Sequence, residues 1–178
     1  MPLVFQYGSN CDRERLNNAD RLNGNAVDLG LVQTVGEYEI AFNKWSTRGT
    51  NAAADLARPR KGGRRCWGVL YQVSRADFKK LREDIEGPGY RPQRMLVEDA
   101  AGATMTVTTF RVRRSRRENN RHTTLDYVRH IVYGLRAHDA PEDYVQHVID
   151  IAIQTNRKST AAAAAEESRQ IEGLRARW

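Results

Sequence analysis

The chain has 178 residues, about 20.3 kDa, with 29 Lys and Arg against 22 Asp and Glu, for a formal net charge of +7. A hydrophobic share of 40 % is enough to bury a core, which excludes a wholly disordered chain. With 13 Gly, 5 Pro and 2 Cys, collagen-like and disulfide-framework classes are excluded as well. The length suits one domain. No apolar run approaches the ~18 residues of a membrane span, and the start MPLVFQYGSN lacks the basic and apolar regions of a signal peptide. These features read as a soluble, cytoplasmic protein without membrane contact, in which Cys11 and Cys66 are scattered reduced thiols.

In chain order, Pro2–Tyr7 reads as a strand that stops at the turn composition Gly8-Ser9-Asn10. A short helix over Asp12–Leu16 follows, capped by Ser9 or Asn10. Val27–Val35 and Glu37–Asn43 read as strands, the second with Tyr38, Ile40 and Phe42 on one face. Asn51–Leu56 is a weak strand. Cys66–Val73 (CWGVLYQV) is a strong one, aromatic and β-branched. Ser74 with Asp77 approximates a capping box for a helix running to about Ile85, with Phe78, Leu81 and Ile85 on one face.

Strands over Arg91–Glu98 and Thr104–Val112 follow, joined by the polar turn Asp99–Ala103. Two helices come next. Thr124–Arg136 carries Leu125, Val128, Ile131, Val132 and Leu135 at helical spacing. Glu142–Gln154 has Pro141 in its first turn and Asp139 as a possible cap. Residues 156–178 read as a C-terminal extension beyond a domain of residues 1–155, helical or disordered, with no apolar face. Strands first, one helix among them and helices last indicate an α+β fold with an antiparallel or mixed sheet.

Phosphate-binding loops, dinucleotide fingerprints, zinc-protease helices and serine elbows are all missing. His122, His130 and His138 stand eight apart, so on a helix each is turned about 80° from the last and they share no face for a metal. Two basic runs, Arg58, Arg60, Lys61, Arg64 and Arg65, then Arg111, Arg113, Arg114, Arg116 and Arg117, suit either solvated loops guarding strand edges or an anionic partner. They lack the interleaved aromatics that stack nucleic-acid bases, which disfavours nucleic acid.

Two segments carry chemistry. Gln6-Tyr7-Gly8-Ser9-Asn10 follows a strand and precedes a helix, a turn that can aim backbone N–H groups at a carboxylate. Glu86 ends the central helix, ahead of Gly87. The negative end of the helix dipole and the neighbours Glu83 and Asp84 would raise its pKa, as a general acid/base near neutrality needs.

Tyr7-Gly8-Ser9-Asn10 after an N-terminal strand resembles the signature loop of the γ-glutamylcyclotransferase family, which includes AIG2-like members. The similarity continues through Phe42, Gly49, Ala53, Leu56, Arg58-Pro59 and Trp67-Gly68-Val69-Leu70-Tyr71. It then passes through Glu86-Gly87 and Tyr90-Arg91 to Tyr127, Gly134-Leu135, Pro141 and Tyr144. It departs in its heavy arginine runs and in Cys11, where Leu or Met is usual.

The resemblance implies a small, twisted, mostly antiparallel β-barrel flanked by helices. It also implies an enzyme that cleaves a γ-glutamyl amide by attack of the substrate's own α-amine, releasing 5-oxoproline and a free amine or amino acid. Glu86 would be the catalytic acid/base. Tyr7, Gly8, Ser9 and Asn10, with Tyr90 and Tyr127, would bind the small-molecule substrate, with no metal or other cofactor. The alternative is a non-enzymatic scaffold that binds nucleic acid or another anionic partner through the arginine-rich loops.

Overall fold

The structure is a computed structural model that describes residues 1–46, 50–59 and 62–176. Gly49, Arg60, Lys61 and the last two residues of the C-terminal extension, all part of the expectations above, lie outside the described residues. Five strands close a barrel in the order β1 (Leu3–Gln6), β5 (Trp67–Gln72), β2 (Val27–Thr34), β6 (Tyr90–Asp99), β7 (Thr104–Val112). Neighbours run antiparallel, except that β7 meets β1 in parallel at Val4 and Thr108. This is the small, mostly antiparallel barrel with flanking helices that the resemblance implied.

Local chemistry explains the elements. β5 is central and buried through Gly68–Tyr71, which is why it reads as continuous apolar sequence rather than alternation. The β6–β7 ladder closes over a turn in which Asp99 Oδ1 accepts from the N–H groups of Ala101 and Ala103, both at 2.9 Å. α2 (Arg75–Lys80) is capped by Ser74 Oγ, 3.0 Å from the Asp77 N–H. The helix then continues to Glu86, as one turn of π-helix over Leu81–Glu86.

β3 (Glu39–Trp45) and β4 (Ala52–Ala57) form a separate hairpin. β3 starts two residues later than expected, because Tyr38 makes an isolated bridge to Arg64. A bulge at Asn43 breaks the alternation and buries Phe42, Asn43 and Lys44 in succession. Among the described residues the outer edge of β4 pairs with no strand; the His122 carbonyl, which accepts from the Ala52 N–H at 2.7 Å, and several side chains satisfy it instead. The Ala54 N–H donates to Tyr127 Oη at 3.0 Å, and the Ala54 carbonyl accepts from Tyr90 Oη at 2.7 Å. The Leu56 carbonyl accepts from Arg111 Nε. These bonds hold the hairpin against the barrel mouth.

α1 (Arg13–Leu16) is capped by Asp12, not by Ser9 or Asn10, which lie in a preceding 3-10 turn (Ser9–Cys11). α3 (Leu125–Ala137) buries Val128, Ile131, Val132 and Leu135 in the core. α4 (Glu142–Arg157) has Pro141 at its cap position, with no side-chain cap. Asp139 does not cap it: its φ of 56° places it in the left-handed region of the connecting turn, which a short polar residue tolerates. α4 runs three residues past Gln154 because buried Asn156 is tied to Thr123 by two hydrogen bonds, 2.7 and 3.0 Å.

The C-terminal extension forms α5 (Ala164–Glu172) and a 3-10 turn over Gly173–Arg175. The expectation that it lacks an apolar face is corrected: Ala164, Ile171 and Leu174 are buried. Their spacing of seven and three puts them on one side, which the run of five alanines hides in the sequence. Glu167 accepts from the Leu125 N–H at 2.6 Å, and Arg175 pairs with Asp150 at 2.6 Å. Among the described residues no helix is long and apolar enough to cross a membrane.

Candidate active site

β1 delivers the chain to the barrel mouth at Gln6, and the 3-10 turn then folds back, with Ser9 and Asn10 both buried. Cys11 supports the turn from beneath. Its thiol donates to the Gln6 carbonyl at 3.0 Å, and burial pushes its pKa up to about 12, so it stays a neutral packing group. As the first residues of a helical turn, Ser9 and Asn10 have N–H groups that the turn itself does not use. The Gln6–Asn10 segment, the π-turn and the β3–β4 hairpin enclose a cavity of about 210 Å³.

Glu86 lies in its wall. The π-turn closes with the Gly87 N–H on the Arg82 carbonyl at 3.2 Å, and Gly87, at φ 71°, turns the chain into β6. Glu86 Oε1 accepts from Asn10 Nδ2 at 3.0 Å and more loosely from Gln6 Nε2 at 3.4 Å. Asn10 is itself oriented by Arg21, whose guanidinium donates to Asn10 Oδ1 at 2.8 Å.

The Glu86 carboxyl is raised to about 7. Burial is the main cause; the amides of Gln6 and Asn10 and the charges of Arg21 and Lys44 oppose it. The direction expected from the sequence therefore stands, with a different cause. Glu83 points to solvent and is engaged by Arg82, which lowers its own carboxyl.

The structure brings Tyr7, Gly8, Ser9, Asn10, Tyr90 and Tyr127 to the same cavity as Glu86. Their roles there differ. The Tyr7 hydroxyl donates to the Phe110 carbonyl at 2.5 Å and the Tyr90 hydroxyl to Ala54, so both phenol protons serve the scaffold. Tyr127 Oη accepts from the Ala54 N–H. Burial raises all three phenols, which keeps them neutral. A Cβ on Gly8 would stand 3.3 Å from Tyr127 Oη, so the turn is packed closely on that ring.

Sequence reasoning missed Arg21, Lys44 and Asn51, which also line the cavity. Lys44 and Asn51 are only 7 % and 8 % exposed. The β3 bulge that buries Lys44 leaves no signature in a period-2 pattern.

The arginine runs are divided. Arg64 pairs with Asp143, Arg65 with Glu98 and Arg117 with Asp55, each within 3.0 Å. Arg111 is buried against Leu56 and Gln93. Much of each run is therefore structural. His130 and His138 face Asp12 and Asp28 at 2.6 and 2.8 Å.

Residues 65–148 match the model of the AIG2-like family. That span holds Glu86, Tyr90 and Tyr127. Among curated proteins no sequence match emerges. A solved γ-glutamyl cyclotransferase superposes with a TM-score of 0.69 at 19 % identity, over 82 % of this chain and 85 % of its own. An uncharacterised protein of Homo sapiens gives 0.68 at 19 %, over 82 % and 85 %. YkqA from Bacillus subtilis gives 0.67 at 23 %, over 83 % of this chain and 52 % of its own. Residues 65–148 are thus similar to the AIG2-like family, and the barrel is the fold of the solved γ-glutamyl cyclotransferase.

Proposed function

We propose that the chain is a γ-glutamyl amide cyclotransferase. The observation that carries this reading is Glu86: a carboxyl raised to about 7, held by the Asn10 and Gln6 amides in the wall of a small polar cavity. The substrate's α-amine nitrogen attacks its own γ-carbonyl carbon. Ionised Glu86 takes a proton from that nitrogen as the ring closes. The tetrahedral carbon then expels the amide nitrogen, which receives the proton from Glu86 and leaves as a free amine. The products are 5-oxoproline and that amine, and Glu86 returns to its starting state.

A pKa near 7 suits both halves of this shuttle, because the group is neither too weak a base nor too weak an acid. The N–H groups of the Gly8–Asn10 turn hold the substrate's α-carboxylate. The tyrosine rings confine the chain so that amine and carbonyl stay in attacking distance, which is where an intramolecular reaction gains most.

The test is a panel of γ-glutamyl dipeptides and γ-glutamylamines assayed for 5-oxoproline. Release from at least one is expected, with kcat/KM rising as pH passes upward through about 7, as Glu86 ionises. No release across the panel would overturn the reading.

A second reading rests on a different cleft of about 320 Å³, lined by Arg58, Arg91, Arg111, Arg114 and Arg117. Among the described residues only Arg117 of these is ion-paired. A polyanion bound there would be retained at low salt and released as salt rises.

A further inference from the structure

The arginine cleft is a focus of positive charge that the chain itself does not neutralise. Its guanidinium groups converge from separate parts of the sequence. Arg58 follows β4, Arg91 is on β6 and Arg111 on β7, while Arg114 opens the 3-10 turn after β7 and Arg117 closes it. Among the described residues no carboxylate lines the cleft. Arg58, Arg91 and Arg114 are exposed, and their side chains make neither an ion pair nor a hydrogen bond among the described residues.

Two of these arginines are set against each other. Arg91 and Arg111 stand directly opposite across the β6–β7 ladder. Like charges in that position destabilise a sheet unless an anion comes between them. Arg111 is only 4 % exposed. Its Nε donates to the Leu56 carbonyl and its Nη1 to Gln93 Oε1 at 2.9 Å, whereas Nη2 has no hydrogen-bond partner among the described residues. A guanidinium fixed at two nitrogens is oriented in advance for an acceptor at the third. Arg117 is held in place by Asp55, with Nε 2.9 Å from the carboxylate. Arg58 and Arg117 also line an adjoining cleft of about 380 Å³, which reaches Gln154 and Lys158 at the C-terminal end of α4.

We propose that the arginine cleft binds a small molecule carrying two or three linked phosphoryl groups. This rests on the reading of that cleft as an anion site, narrows it from a polyanion to a compact ligand, and is independent of the cyclotransferase reading. A volume of about 320 Å³ falls at the lower end of small-molecule sites, about 300–1,000 Å³. Guanidinium forks match phosphate oxygens in pairs, and five of them exceed what a single carboxylate neutralises. Among the described residues no aromatic ring lines the cleft for the bases of a nucleic-acid strand to stack on.

The experiment is calorimetric titration of the full chain in metal-free buffer with inorganic tripolyphosphate, with adenosine triphosphate and with a single-stranded oligonucleotide. Tripolyphosphate should bind at one site per chain. The double variant Arg58→Ala, Arg91→Ala should weaken that binding by at least about tenfold. Its Tm should stay level or rise, because neither side chain holds the fold and one like-charge contact is relieved. Arg94→Ala removes an exposed arginine of β6 outside the cleft and should leave Kd close to wild type. Tighter binding of adenosine triphosphate than of tripolyphosphate would extend the ligand to a nucleotide whose remainder occupies the adjoining cleft; equal binding would limit it to the phosphate chain.

Tripolyphosphate binding that the double variant leaves unchanged overturns the site. So does an equal loss in Arg94→Ala, since the anion would then respond to net charge alone. Binding of the oligonucleotide but not of tripolyphosphate overturns the compact ligand and keeps the polyanion reading. No binding of any of the three overturns both.

Discussion

Asp55 and Glu86 are both withdrawn from water, and their partners differ in kind. Asp55, on β4, is fully buried and surrounded by fixed donors: the Val112 N–H at 3.0 Å, the Asn43 amide at 3.3 Å and the Arg117 guanidinium at 2.9 Å. The arginine makes an ionic contact there rather than a well-aligned hydrogen bond. Glu86 receives two side-chain amides, and its cations act from a distance. The first arrangement secures a carboxylate as a structural bridge between hairpin and barrel. The second leaves a carboxyl that gains and loses a proton near neutrality. The two differ in what touches them: a guanidinium meets Asp55, and only neutral amides meet Glu86.

The largest effect should come from Glu86→Gln, which keeps the two amide contacts and removes the proton carrier. On a confirmed substrate kcat should fall by on the order of 100- to 10,000-fold, while Glu83→Gln, the same charge change at an exposed neighbour, stays close to wild type. Equal losses in both would dissolve the contrast with Asp55 into a diffuse charge effect.

Next is Asp55→Asn, which should cost on the order of 2–3 kcal/mol. That would lower Tm by roughly 5–10 °C without moving the pH midpoint of turnover. A moved midpoint would show that both carboxylates belong to one titrating unit. Tyr90→Phe removes one strap between hairpin and barrel and should cost about 1 kcal/mol, read as a lower urea midpoint.

The smallest effect has an informative sign. The folded chain keeps the Glu86 proton up to about 7, whereas an unfolded glutamate releases it near 4.5. Between those values folding takes up a proton, so stability falls as pH rises through the window. Glu86→Gln escapes that loss. It should melt slightly above wild type at pH 8 and level with it at pH 4; the reverse order would mean that the site stabilises the Glu86 carboxylate.

The parts of this molecule that follow a regular period are readable in its residues. β5, the β6–β7 pair, α3 and the start of α4 all stand where apolar spacing puts them. Where a residue is added or a face is thinly marked, the pattern fails. The bulge at Asn43 turns Lys44 inward against its charge. Leu81–Glu86 is spaced like ordinary helix, and nothing in those six residues signals i to i+5 bonding. The alanine run hides the face that Ile171 and Leu174 complete. Glu86 and the Tyr7–Asn10 turn were legible as chemistry, but the tyrosine hydroxyls were not legible as straps on Ala54. That role depends on β4 having an unpaired edge, which is a property of the assembled fold.

Gly134 has a bearing on inherited variation. It sits on α3 directly against the backbone at Cys11 and Asp12, and any side chain there would overlap the Cys11 carbonyl and the Asp12 amide. The displaced segment carries Ser9 and Asn10, hence the grip on Glu86. A survey of inactivating substitutions should therefore find one of its most intolerant positions on α3, at a residue with no side chain and no place in the cavity.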